Sequence, residues 1–214
     1  MADTTTAGST PTTAGNTYRK WLVPGIVIGV LLLIAIWFIG SYNGLVGQRE
    51  DVRKNFANLQ GQYQRRADLI PNLVNTVKGA ADFEQDTLTG VTEARAKATG
   101  ITIDPSKATP QQLQQYQQSQ GELSQALGRL LAVTENYPQL TATQNFKDLQ
   151  VQLEGTENRI AVARKDYNDA SSAFNARIKR FPTNLVAGAG NFDEFPYFQA
   201  QNGAENAPSV NFGE

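Results

Sequence analysis

The sequence predicts an all-α protein: an N-terminal transmembrane helix followed by an antiparallel four-helix bundle with long helices. Three observations carry this. Trp21–Gly40 (WLVPGIVIGVLLLIAIWFIG) holds no charged residue and almost no polar side chain. Twenty helical residues span about 30 Å, the hydrocarbon thickness of a bilayer. Beyond that run, apolar residues recur at three- and four-residue steps over four long stretches, divided by segments containing Pro or Gly.

The totals exclude several function classes. Setting aside the first forty of 214 residues leaves roughly 170, enough for one soluble domain. There are 19 basic and 20 acidic residues, a net charge of -1, so no basic excess points to nucleic acid. Cysteine is absent, which excludes disulfides, thiolate zinc sites and Cys nucleophiles. Histidine is absent too, which removes the commonest general base and transition-metal ligand. Glu84, Asp86 and Glu93 form the best carboxylate group, but a di-metal bundle needs Glu-x-x-His motifs. The glycines form no phosphate loop. No catalytic residue, metal or cofactor is therefore expected.

Residues 1–20 are rich in Thr, Ala, Gly and Ser and read as a disordered tail, unable to bury enough apolar surface to offset ordering. The run at 21–40 is longer than a signal-peptide core, and Ile39-Gly40-Ser41 is a poor cleavage site, so it reads as a retained anchor. Trp21 and Trp37 lie near its ends, where interfacial aromatics belong, and Pro24 falls in its first turn. Arg19 and Lys20 sit close on its N-terminal side, whereas Arg49, Arg53 and Lys54 follow at a distance. That asymmetry leans towards a single-pass protein with its body outside the cytoplasm.

The first bundle helix is expected over Tyr42–Ala67, its stripe formed by Leu45, Val52, Phe56, Leu59 and Tyr63. Gly44 and Gly47 offer a bend, but the simplest reading is a nearly continuous rod leaving the bilayer. RRADLIPN reads as a reversal or sharp kink, with Asp68 capping a second helix, about Asp68–Ala98, and Pro71 in its first turn. The stripe there is Ile70, Val74, Val77, Ala81, Leu88, Val91 and Ala98. Glu84 and Arg95 interrupt it; they either pair inside or turn to water as the register drifts, and the second is preferred. Thr99–Pro110 reads as a loop.

A third helix is expected over Pro110–Glu135, with Leu113, Tyr116, Leu123, Leu127 and Leu130 inward and Gln120 in their stripe. Asn136-Tyr137-Pro138 ends it. The fourth runs over Thr143–Arg180, with Phe146, Leu149, Leu153, Ile160, Ala163, Tyr167, Ala170, Phe174 and Phe181 on one face. Phe181-Pro182 closes the bundle domain, residues 41–182. The segment 183–214 reads as irregular but carries Phe192, Phe195, Tyr197, Phe198 and Phe212. Such rings either pack back on the bundle, which is preferred, or bind a neighbour.

Two groups are candidate interaction residues. Arg65 and Arg66 with Asp68 form one; they grip a lipid phosphate or partner carboxylate, or else complement a helix C-terminus and cap the next helix. Phe192, Phe195, Tyr197 and Phe198 form the other. Glu154, Glu157, Arg159, Arg164, Lys165 and Asp166 alternate in sign and read as a solvated face.

Long strings carry a resemblance. YNGLVGQREDVRKNFANLQGQYQRRADLIPNLVNTVKGAADFEQDTLTGVTEAR (Tyr42–Arg95), ALGRLLAVTENYPQL (Ala126–Leu140) and LEGTENRIAVARKDYNDASSAFNARIKRFPTNLVA (Leu153–Ala187) closely resemble the LemA family. The resemblance implies a bacterial membrane protein with an N-terminal anchor, a helical bundle and no enzyme chemistry. Family members often carry an aromatic and a His before the residue matching Glu84; here Ala80-Ala81-Asp82-Phe83 stand there, which weakens any metal site. The expected role is a membrane-anchored scaffold whose partners are the lipid bilayer and either a second copy or other membrane proteins. An enzyme accessory or a lipid or small-ligand carrier is the alternative.

Overall fold

A computed structural model describes residues 17–79 and 84–199 of the chain. Ala81 and Phe212, and the first sixteen residues expected to be disordered, lie outside them. Among the described residues there are six helices and no strand: α1 (Thr17–Lys78), α2 (Gln85–Gly100), α3 (Pro110–Thr134), α4 (Pro138–Thr141), α5 (Gln144–Lys179) and α6 (Thr183–Ala189). α1 already begins at Thr17, inside the stretch read as disordered.

α1 is a single helix of 62 residues, about 93 Å at 1.5 Å per residue. Between residues 21 and 40 every residue except Gly29 is exposed, and this part is long and apolar enough to cross a membrane. The helix then passes Gly44 and Gly47 without a break and enters the bundle. The reversal expected at RRADLIPN does not occur there. α1 continues through Pro71 to Lys78, and a turn follows at Gly79. Proline has no N–H for the carbonyl four residues back, which here belongs to the buried Ala67. Nε of Arg95, on α2, donates to that carbonyl at 2.7 Å. The partner that Pro71 withholds is thus supplied by a side chain from the next helix. Arg95 accordingly is half-buried and bonded rather than turned to water, while Glu84 is exposed and accepts from the Thr87 hydroxyl at 3.2 Å.

This predicts a specific rescue. Arg95→Ala leaves a buried carbonyl unpaired and is expected to cost about 1–3 kcal/mol. Adding Pro71→Ala restores a backbone donor and should recover most of the loss. Thermal unfolding of the two single variants and the double variant checks it; independent, additive effects would refute the link.

The bundle folds up and down along α1. α2 descends beside it, and the 101–109 segment continues the descent, with Gln60 Nε2 reaching the Ile103 carbonyl at 3.5 Å and Arg53 Nε the Ser106 hydroxyl at 2.9 Å. α3 starts with a full capping box. Thr109 accepts from the Gln112 N–H, Gln112 accepts from the Thr109 N–H, and Pro110 sits in the first turn. After the short α4, which buries Leu140, Thr143 caps α5.

α5 returns antiparallel to α1 over its full length. Glu157 meets Arg66 at 2.8 Å, Tyr167 meets Phe56 with ring centroids 5.4 Å apart, and the Arg177 guanidinium lies against Gly44. Each ten-residue step along α5 thus answers ten to twelve residues back along α1.

The apolar stripes fall where the spacing puts them. Leu45, Val52, Phe56, Leu59 and Tyr63, then Ile70, Val74 and Val77, are buried, as are Leu113, Tyr116, Leu123, Leu127 and Leu130 of α3. On α5, Leu149 and Ala170 are half-buried, and Phe181 is an exception at 79 % exposed. It lies past the end of α5, so helical periodicity no longer places it. The segment expected to be irregular contains α6, which buries Val186 and Ala187.

Candidate functional site

The two groups of candidate residues lie in different places, and each has a structural task. Arg66 is 1 % exposed, in the middle of the bundle. Its Nη1 donates to Ser124 Oγ at 2.7 Å and to Glu157 Oε1 at 2.8 Å; its Nη2 donates to the side chain and main chain of Gln120. The guanidinium also lies 5.2 Å from the Tyr63 ring centroid. One side chain from α1 therefore ties α3 and α5 together. Gln120 continues the chain of bonds to the Ala98 carbonyl of α2 at 3.0 Å, so all four long helices meet in one polar layer.

That layer divides the core. The half nearer the anchor holds Phe56, Tyr63, Tyr116, Ile160, Tyr167 and Phe174; the far half holds Ile70, Leu73, Leu123, Leu130, Phe146 and Leu153. A buried polar layer is one device by which helix bundles fix register. Because the helix does not end here, neither reading offered for this group applies to Arg66: it is not a surface grip, nor a cation at a C-terminus. Arg65 and Asp68 are exposed, and Asp68 accepts from Gln64 at 2.7 Å instead of capping.

The second group forms a strap. At Gly190 an added Cβ would lie 2.6 Å from the Phe192 ring and 3.0 Å from Tyr42, so only glycine allows this close approach. Asn191 follows in the left-handed region, with φ 50°, which Asn tolerates best after glycine. The chain then runs back along α5 in extended form to Gln199. Phe192, Phe195 and Phe198 are buried, and Tyr197 is 45 % exposed. Phe198 stacks on Phe56 and meets Tyr167 edge-on; Phe195 meets Phe174.

An extended segment has bare main-chain groups, and side-chain amides pair them here. Asn175 accepts from the Phe195 N–H at 2.9 Å and donates to its carbonyl at 2.8 Å. Asn168 does the same for Phe198, at 3.0 and 2.9 Å, and Gln117 of α3 for Gln199, at 3.1 and 2.8 Å. The Tyr167 hydroxyl donates to the Pro196 carbonyl at 2.9 Å.

The spacing explains the fit. Asn168 and Asn175 stand seven residues apart on α5, a rise of about 10.5 Å. Phe195 and Phe198 stand three apart on the strap, about 10 Å in extended chain. Two helical turns thus match three strap residues, and each amide faces one peptide unit. Arg164, read as part of a solvated face, also joins the strap: it donates to the Gln199 carbonyl at 3.0 Å and lies over the Phe198 ring at 5.3 Å. Glu157, from the same face, is the partner of Arg66.

Electrostatics follow from burial. Loss of solvation pushes the Tyr63 and Tyr167 hydroxyls up to about 12, and it raises Tyr116 as well. Two carboxylates, Asp86 and Glu122, line a shallow groove of about 290 Å³ between α2 and α3, with Arg129 beside them. The Lys97 ammonium bonds Glu122 at 2.6 Å and holds its carboxyl below the usual range. A second groove, of about 350 Å³, is lined by Gln60, Tyr63, Tyr116 and Gln120. Among the described residues no group of acidic side chains is placed to hold a metal ion.

Together these features define an all-helical bundle protein with an exposed apolar helix long enough to cross a membrane, closed by a C-terminal strap. The chain belongs to the LemA family, whose sequence profile matches residues 55–212. It is 30 % identical over 197 residues to magnetosome protein MamQ 2 of Paramagnetospirillum magneticum, covering 81 % of this chain and 71 % of that protein. It is 25 % identical over 193 residues to protein LemA of Metamycoplasma hominis, covering 86 % and 84 %. A MamQ of Magnetospirillum gryphiswaldense is 25 % identical over 196 residues, covering 81 % and 71 %.

Proposed function

We propose that this chain is a single-pass membrane scaffold of the bacterial envelope, acting by association with itself or with other membrane proteins. One observation carries the reading: the exposed apolar run is the first part of the same helix that forms the spine of the bundle. A span of this kind is satisfied only by lipid or by other spans. The bundle beyond it stands upright, reaching about 57 Å from Gly40 to Lys78. The charge asymmetry around the span favours a body outside the cytoplasm. The candidate residues act in this reading by holding the shape of the body; Arg65, Asp68 and Tyr197 remain exposed for contact.

Native mass spectrometry in mild detergent, with in-membrane crosslinking, tests it. The expected result is an oligomer or a crosslinked membrane-protein partner; a strict monomer that captures neither sinks the scaffold. Protease treatment of intact spheroplasts tests orientation: the body should be digested from outside, and full protection would reverse it.

A further inference from the structure

We propose that the corner joining α5 to α6, led by Phe181 and Leu185 with Arg180 beside them, is a second membrane contact, seated in the anionic headgroup region next to the anchor. This rests on the reading of residues 21–40 as a span.

The register of α5 on α1 carries the argument. Glu157, Tyr167 and Arg177 face Arg66, Phe56 and Gly44 in turn. Four residues beyond Arg177, Phe181 therefore stands level with residues 40–42, where the apolar run ends. A helical side chain leans towards its own N-terminus, so the Arg177 backbone lies nearer the anchor than its guanidinium, which sets Phe181 no higher. α6 packs in the same place: Val186 and Ala187 join the core cluster of Leu45, and Tyr42 meets Phe192 with ring centroids 5.4 Å apart.

Against that position, the exposure of the corner has a reason. Phe181 is 79 % exposed and Leu185 61 %, though α6 buries the two residues that follow Leu185. Headgroups and the acyl boundary occupy several ångströms on each side of the hydrocarbon, and Phe and Leu flanked by basic residues are the composition that settles there. Lys179 is bonded to Glu194 at 2.6 Å. Arg180 is exposed and has no ion pair among the described residues, so it is a cation available to lipid phosphate. Among the described residues, the exposed valines outside the apolar run, Val151 and Val162, lie further back along α5, away from this corner.

Since the chain has no cysteine, single labels are simple to place. The full-length protein is reconstituted in vesicles of phosphatidylcholine with phosphatidylglycerol. An environment-sensitive fluorophore is attached after Leu185→Cys, Val151→Cys or Ile34→Cys, and quenching by lipids carrying a headgroup-level quencher is read. The expected result is strong quenching at 185, little at 151, and a lipid-like emission at 34. A label at 185 as aqueous as that at 151, with 34 in lipid, overturns the contact and leaves the span standing. An aqueous label at 34 overturns both. Each basic residue near an anionic surface changes partitioning about fivefold, so Arg180→Gln should lower the seated fraction to that degree in phosphatidylglycerol vesicles and less in pure phosphatidylcholine. An equal response in the two lipids overturns the role of Arg180.

Discussion

Replacing Arg66 by alanine is expected to cost about 3–5 kcal/mol, in the range found when one partner of a buried ion pair is removed. For a chain of this size that lowers the midpoint of thermal unfolding by roughly 10 °C. Three losses combine. Gln120 and Ser124 lose their shared donor inside the bundle, a cavity opens between the two halves of the core, and Glu157 keeps a charge with nothing opposite it. The variants should rank in a definite order. Arg66→Met fills the volume and leaves only the polar groups unpaired, so it should lose less than alanine. Glu157→Gln should be mildest, about 1–2 kcal/mol, because the Glu157 side chain is 42 % exposed and the guanidinium keeps its other bonds. Helical circular dichroism on heating measures all three. An Arg66→Ala protein as stable as the parent would show that the polar layer holds nothing together.

Asn175→Ala should release the strap. Asn175 is 2 % exposed, and its loss leaves both the N–H and the carbonyl of Phe195 without a partner in an apolar surround. At about 1–3 kcal/mol for each unpaired group, the cost is about 2–6 kcal/mol. The loss should be local before it is global. Limited proteolysis should cut between residues 190 and 199 while the four long helices stay intact. Asn175→Gln should not rescue, since one more methylene puts the amide out of step with the peptide it faces. Asn168→Ala should act in the same direction but more weakly, because Asn168 is only part-buried.

Alkali should do likewise through the Tyr167 hydroxyl, which donates to the strap. Its pKa is about 12 in the fold against about 10 in the unfolded chain. The raised value means that this stabilisation is complete below pH ~10 and is lost as pH climbs from ~10 towards ~12. Tyr167→Phe should remove that part of the alkaline transition. A strap equally resistant to protease in Asn175→Ala and the parent would refute the amide pairing.

The helices were legible because their stripes obey one period. Phe56, Leu123 and Phe174 are all buried where a three-four count puts them. At RRADLIPN a local rule and a longer pattern point to different structures. Pro71 is a breaker by its own chemistry, but the stripe does not stop: Leu59, Tyr63, Arg66, Ile70, Leu73 and Val77 continue the same steps across it. Arg66 hid that continuity, being a charged residue at a core position. What tolerates the proline is Arg95, twenty-four residues later, and no local reading supplies that.

The strap shows a similar limit. The aromatic tail invited packing on the bundle, the preferred reading, and Phe192, Phe195 and Phe198 do pack there. Its receptors, Asn168, Asn175 and Gln117, carry no local mark, being polar residues on amphipathic helices. Their one signal was numerical: a seven-residue interval on the helix, opposite a three-residue interval between rings in the tail.

α1 has no joint between its apolar run and the bundle, so the two share one axis. With the run in a bilayer, any lean of the span becomes a lean of the whole body. At about 57 Å from Gly40 to Lys78, a tilt of about 10° sweeps the far end sideways by about 10 Å. Hydrophobic spans tilt to match the thickness of their membrane. A thin bilayer and a thick one would therefore present the outer end of the bundle at different places, and membrane thickness becomes a quantity that the protein converts into displacement at a distance.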